Sequence, residues 1–375
     1  MQYSTDDLVK LAKRDNNSIR PYLYVNPLQG KHIPAKPEDV LEMCQKLANI
    51  VNGIYPKDSL YVIGFAETAT GVASAVTSYL KNAVYYQNTT REYLGNEEYL
   101  YFTESHSHAT DQMLRSEDIE GCIRQIDRII FIDDEVTTGS TVCKLIDVIN
   151  KKYGVENLKY SILSILNSMT QERILELKEN GIECLFLSSI PYEYNKESII
   201  GITFDNNRHT IAKSTAKHDL KKIDFSSSVN PRGIVRFADY EKEIMCFADN
   251  IVHLLGANHY MSVLVLGTEE FMYPTFRVGE MIKKKGIADN VWIHSTTRSP
   301  IVASGEAGYP LYHRYQIRSL YDGNRTTYIY NLKQYDKVIV LTDSLKDTDG
   351  LSDLWNVLKS VGNHDIIIAK WIYKK

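Results

Sequence analysis

The stretch Arg128-Ile-Ile-Phe-Ile-Asp-Asp-Glu-Val-Thr-Thr-Gly-Ser-Thr141 decides how this chain is read. Ile129, Ile130, Phe131 and Ile132 are apolar and bounded by charge, the pattern of a short buried strand. Asp133 and Asp134 stand at the C-terminal end of that strand. A hydroxyl-rich turn follows, and then Val142, Leu145, Ile146 and Ile149, whose spacing predicts a helix. In open α/β sheets ligands bind beyond the carboxyl ends of the strands. Backbone N–H groups at a helix start, helped by Thr and Ser hydroxyls, form a cradle for a phosphate. Two acids beside that cradle suit the vicinal hydroxyls of a ribose, directly or through a metal. The local chemistry is that of a ribose-5-phosphate site.

Around this stretch, strands and helices alternate. A helix over 37–51 precedes a strand at 60–64, which runs into a loop of small residues and a second helix through Tyr79. Further strands are predicted at 83–86, 158–166 and 182–187, with a helix over 170–179 stopped by Asn180-Gly181. The alternation predicts a parallel sheet flanked by helices. Residues 191–235 turn polar, which places a domain boundary near 205–240. The expected division is 1–204, a linker over 205–238, and 239–375.

At 375 residues the chain is long for one core. Hydrophobic content of 43% and charged content of 24% place it in the globular class. The net charge of −4 makes no electrostatic case for a nucleic-acid partner. No apolar run approaches the ~20 residues that span a bilayer, and the N-terminus lacks a signal-peptide pattern. A cytoplasmic location and no membrane partner are therefore expected. The five cysteines are scattered without a Cys-x-x-Cys pair, as in reduced, mostly buried thiols.

The run from Ile129 to Thr141 resembles the phosphoribosyl-pyrophosphate (PRPP) signature of type I phosphoribosyltransferases. Glu135 is unusual there, beside the aliphatic residue often found at that position. The resemblance implies a type I phosphoribosyltransferase fold of Rossmann-like α/β class, using PRPP and Mg²⁺. Thr137, Thr138, Gly139, Ser140 and Thr141 would bind the 5′-phosphate, and Asp133 and Asp134 the ribose hydroxyls and the metal. It further implies that Glu67, Thr68, Ala69, Thr70 and Gly71, after the first core strand, hold the pyrophosphate with Arg91. Glu104, His106 and His108 would lie on a mobile loop acting at the reacting centre. A zinc site there lacks further ligands at conventional spacing. Lys31 and His32 read either as a substrate contact from a small hood preceding the core or as an exposed basic pair on a loop.

The second half repeats the plan of the first. The strand at 261–267 follows the helix at 239–255, as 60–64 follows 37–51. Thr-Thr-Arg recurs at Arg91 and Arg298, 207 positions apart, and Thr342-Asp343 stands where the first half has Asp133-Asp134. The loop after Asp343 is acidic and lacks the Thr-Thr-Gly-Ser-Thr cradle. A second, degenerate phosphoribosyltransferase-like α/β domain without catalysis is expected. Thr297-Arg-Ser-Pro300 and the order of both halves resemble orotate-type phosphoribosyltransferases with a C-terminal TRSP domain, found with bacterial tellurium-resistance and stress-response gene clusters. Thr297, Arg298 and Ser299 read either as an anion contact or as a capped turn after a strand.

The implied activity is displacement at C1 of PRPP by a nitrogenous base or similar acceptor, with pyrophosphate leaving. The same pocket could instead serve a PRPP or nucleotide sensor without turnover, or a nucleotide-cleaving enzyme, because fold does not dictate function. Orotate-type relatives commonly dimerise, so a homodimer is an open expectation.

Overall fold

Leu60–Gly64 is buried at every position, as a parallel strand covered on both faces must be. It lies inside a six-stranded sheet ordered Val235–Arg236, Ala83–Asn88, Leu60–Gly64, Arg128–Val136, Lys159–Asn167 and Ile182–Ser189. All neighbours are parallel except the short first strand, which runs antiparallel to Ala83–Asn88. The computed structural model describes residues 3–15, 20–93, 97–102, 112–191, 196–212, 221–346 and 348–374. The helix Ser140–Tyr153 buries Val142, Leu145, Ile146 and Ile149, the stripe its spacing predicts. That stripe shares a core with Ile129, Phe131 and Ile162 of the sheet.

The signature strand is longer than its apolar run. It continues through both aspartates to Val136, because Lys159–Asn167 pairs alongside as far as Val136 with Asn167. On its other side, pairing with Leu60–Gly64 stops at Ile132. Asp133 and Asp134 thus lie in a strand that has lost one neighbour.

A second sheet is ordered Lys222–Ser227, Ile366–Tyr373, Lys337–Thr342, Tyr260–Gly267 and Ala288–Ser295, parallel throughout. Four adjacent strands of each sheet run, in chain order, second, first, third, fourth. The α/β fold with a second domain of the same plan is what the repeated sequence pattern predicts. Among the described residues no helix is long and apolar enough to cross a membrane.

The boundaries fall elsewhere than the composition shifts. Packing gathers Leu41–Tyr194 and Ser228–Glu243 into one unit, and Met1–Val40, Asn195–Ser227 and Ile244–Lys375 into the other. The N-terminal hairpin of Lys10–Lys13 and Tyr22–Val25 puts Ala12 and Val25 against Ile301, Leu311 and Tyr330. Ala35 bridges Ile293 through both backbone groups, at 3.0 and 2.8 Å. Within the expected linker at 205–238, Lys222–Ser227 joins one sheet and Val235–Arg236 the other, so the backbone groups of those two strands are satisfied in ladders.

Gly64 ends the first core strand with no room to spare. A Cβ there would lie 2.5 Å from both Ala73 Cβ and Asn88 Oδ1. Gly64→Ala is expected to cost about 1–3 kcal/mol in urea unfolding through overpacking. Gly53→Ala, on a helix where a Cβ meets nothing within 4 Å, is expected to gain about 0.5–1 kcal/mol.

Candidate active site

Two strands, Leu60–Gly64 and Ala83–Asn88, end level with Ile132, the residue before the acidic pair. Gly64 pairs with Asn88 on one side and with Ile132 on the other. The loops beyond are then tied together. Phe65 N donates to Ile132 O at 2.9 Å and Thr89 N to Gly64 O at 2.8 Å. Ala66 N donates to the Thr89 hydroxyl at 2.8 Å. The loop after Gly64, residues 89–91 and the acidic pair therefore issue from one carboxyl edge, where open α/β sheets place their ligands.

The first loop closes on itself through the Thr70 hydroxyl, which donates to Glu67 O at 3.2 Å. The Ala66–Glu67 peptide is cis. Helix Thr70–Tyr79 starts at Ala69 without a side-chain cap bond, so the N–H groups of its first turn are the kind that receive an anion. Arg91 is half-buried and follows Thr90, whose backbone pairs with Met113 at 2.8 and 3.0 Å.

Asp133, Asp134 and Glu135 are all half-buried. Asp134 N donates to Asp133 Oδ1 at 2.9 Å. Burial first, and then the like charge of Asp134, hold the Asp133 carboxyl well above the usual carboxylate range. Beyond Val136 the chain turns at Gly139, whose φ of +68° is the left-handed region that favours glycine. A Cβ there would approach Leu177 Cδ1 to 3.3 Å and Ile162 Cδ1 to 3.4 Å. Helix Ser140–Tyr153 carries no acid in its first turn, so nothing there opposes an anion.

Residues 8–190 match a family model described as phosphoribosyl transferase, and residues 238–358 one described as the TRSP domain C-terminal to it. The chain belongs to this phosphoribosyl transferase family with a C-terminal TRSP domain. Among solved structures it is similar to adenine phosphoribosyl transferase from Trypanosoma brucei, at 13% identity over 48% of this chain and 76% of that one, with a TM-score of 0.33. Orotate phosphoribosyltransferase from Aeropyrum pernix is matched at 16% identity over 48% of this chain and 88% of that one, with a TM-score of 0.31. Likeness at this level adds nothing to the family match. No curated protein matches the chain.

In the phosphoribosyl transferase half, Asp133, Asp134, residues 137–141, residues 67–71 and Arg91 are brought to one sheet edge. Glu104, His106 and His108 lie outside the described residues. Lys31 and His32 are not an exposed pair. Both are buried in the other unit, where Lys31 Nζ donates to Glu269 O at 2.6 Å. Pairing of the N-terminal hairpin and of Ala35 carries them there.

The TRSP half reproduces the threonine clasp of this frame. Thr296 N donates to Gly267 O at 3.1 Å, as Thr89 does to Gly64. Glu269 N donates to the Thr296 hydroxyl at 3.0 Å, as Ala66 does to Thr89. Thr297 pairs with Tyr328 as Thr90 pairs with Met113. Arg298 therefore stands where the first half has Arg91, and Glu269 where it has Ala66. Arg298 Nε donates to Glu269 Oε2 at 2.9 Å, and Arg325 Nη2 reaches the same oxygen at 2.7 Å. Glu270 flanks Arg298 at 3.4 Å. Ser299 N donates to the Thr297 hydroxyl at 3.2 Å. Thr297, Arg298 and Ser299 thus form a turn whose arginine is held by the chain's own carboxylates. Thr342 occupies the place of Asp133, and Asp343 accepts a hydrogen bond from the Tyr321 hydroxyl at 2.6 Å.

Sequence reasoning missed the anchoring role of Glu269 and Arg325. The aligned loops held the clue, since two acids stand in the TRSP half where Ala66 and Glu67 stand in the first.

Glu269→Ala is expected to cost about 3 kcal/mol, because it removes the carboxylate shared by two largely buried guanidiniums. Urea midpoints measure it. Asp133→Asn is expected to act the other way. A carboxyl whose folded pKa is raised stabilises the fold while protonated, and that contribution is lost as pH rises through the folded pKa. The Asn variant, neutral at all pH values, is expected to melt above the wild type at neutral pH. The gap should close in acid. Melting temperatures from the acid to the neutral range check the sign.

Proposed function

We propose that the chain binds PRPP with Mg²⁺ and transfers its 5-phosphoribosyl group to a nitrogenous base or similar acceptor, releasing pyrophosphate. One observation carries this reading. Gly64 is flush with both Asn88 and Ile132, so the three expected substrate segments leave one edge together. Family membership supports the reaction class.

In this reading residues 137–141 take the 5′-phosphate at the start of the Ser140–Tyr153 helix. Residues 67–71 and Arg91 take the pyrophosphate, and Asp133 and Asp134 the ribose hydroxyls. The pair also fits a divalent cation. A carboxylate whose proton affinity is raised by burial and by the charge of its neighbour is relieved by a positive charge, and oxygen donors suit Mg²⁺. Held by Asp133 and Asp134, Mg²⁺ would supply neutralisation of the negative charge that builds on the leaving pyrophosphate.

The C1–O bond to pyrophosphate breaks with its electron pair leaving on pyrophosphate. The acceptor nitrogen's lone pair forms the new C1–N bond, and the acceptor's proton is lost to solvent. Positive charge develops on the ribose ring as the leaving group departs. The half-buried Asp133 and Asp134 stabilise that charge in place, without a covalent intermediate. Holding both ends of the ribose phosphate also limits the reacting geometries.

Calorimetric titration of PRPP with and without Mg²⁺ tests the site, with pyrophosphate release followed against a panel of bases. Mg²⁺-dependent binding that Asp133→Asn/Asp134→Asn loses by at least about 100-fold is expected, with release for one base. Binding without release from any base would identify a sensor instead. No binding would overturn the reading.

A further inference from the structure

Behind the turn at 137–141 lies the helix Gln171–Glu179, whose buried Leu177 faces Gly139. Arg173, on its first turn, reaches across. Its Nε donates to Thr138 O at 2.9 Å. One Nη lies 3.7 Å from Cys143 Sγ, on the first turn of the following helix. The other pairs with Glu176 at 2.7 Å, which steadies the guanidinium on its own helix. Thr170 caps that helix by accepting from Arg173 N at 3.3 Å, which sets where the side chain starts.

The consequence follows from peptide geometry. In a planar trans peptide the C=O and the next N–H point in opposite directions. With the Thr138 carbonyl drawn to Arg173, the N–H of Gly139 must point away from the Gln171–Glu179 helix. A left-handed glycine turn has several low-energy orientations, so this peptide needs an external partner to select one. Arg173 is that partner, and it places a positive charge behind the turn as well.

We propose that Arg173 is a positioning residue for a phosphate monoester at residues 137–141, setting the direction of the Gly139 N–H without touching the ligand. The inference rests on the reading of those residues as the 5′-phosphate turn. It assigns Arg173 to the ribose 5-phosphate end of the site alone. The pyrophosphate end, built from residues 67–71 and 89–91, has no hydrogen bond to it among the described contacts.

That asymmetry supplies the test. Ribose 5-phosphate and inorganic pyrophosphate with Mg²⁺ are titrated separately into wild type, Arg173→Ala and Arg173→Lys, with a thermal melt of each. Arg173→Ala is expected to weaken ribose 5-phosphate by about tenfold, the worth of one charge-assisted hydrogen bond, and to leave pyrophosphate unchanged. Arg173→Lys keeps the charge but not the flat donor, and should fall between. If Arg173→Ala does not fold, the lysine variant decides by the same split. Equal loss of both ligands would show a merely structural role and overturn the proposal, as would unchanged ribose 5-phosphate affinity. Failure of wild type to bind either ligand would overturn the proposed function together with this inference, and is distinguishable because it needs no variant.

Discussion

Gly64 and Gly267 have no space for a side chain, and each half of the chain is built around that constraint. At Gly267 a Cβ would come to 2.7 Å from Phe271 O, a conflict only slightly looser than the 2.5 Å at Gly64. The absent methyl lets the following turn fold back tightly onto the strand end. The turn is then clasped by a threonine from the neighbouring strand, Thr89 in one half and Thr296 in the other, which donates its backbone N–H to the glycine carbonyl and accepts from the turn. Neighbouring parallel strands have no hairpin to set their register, so side-chain packing and clasps of this kind must set it. Once they do, everything C-terminal to the strands has a defined starting height.

On that shared frame the two halves distribute charge in opposite ways. The first carries two adjacent aspartates in a strand that has lost a neighbour, and burial keeps one of them reluctant to ionise. A cluster that is costly in isolation is one that a cation or a hydroxyl-rich ligand relieves, and such clusters concentrate at functional sites. The second half has Thr342 at that position and surrounds its glutamates with arginines, so its charges are answered internally. The functional difference lies in side chains, not in topology.

The signature was legible because strand, acids, hydroxyl turn and helix are contiguous, and each has a local physical cause. The internal repeat was legible for the same reason, strand by strand. What escaped were contacts between residues far apart in sequence. Lys31 reaches Glu269 across 238 positions, and no local pattern could distinguish that from a loop beside a substrate. Arg173 falls inside a helix whose span was readable, yet the carbonyl it grips lies 35 residues away. Composition misled at 205–238 as well. Two of its segments, Lys222–Ser227 and Val235–Arg236, are short, partly exposed strands and so read as polar.

Glu269 shows why a repeated frame need not keep a repeated ligand. Its carboxylate is covalently tethered and almost wholly buried, and it already sits between Arg298 and Arg325. A diffusible anion competing for the same guanidiniums would pay about 4–15 kcal/mol for lost translation and rotation. The tethered carboxylate pays that cost only once, in folding. The internal anion therefore wins unless the external one makes many more contacts. At the matching position of the first half stands Ala66, which brings no charge of its own. An acid at one position of the repeated clasp therefore leaves Arg298 and Arg325 already neutralised from within the chain.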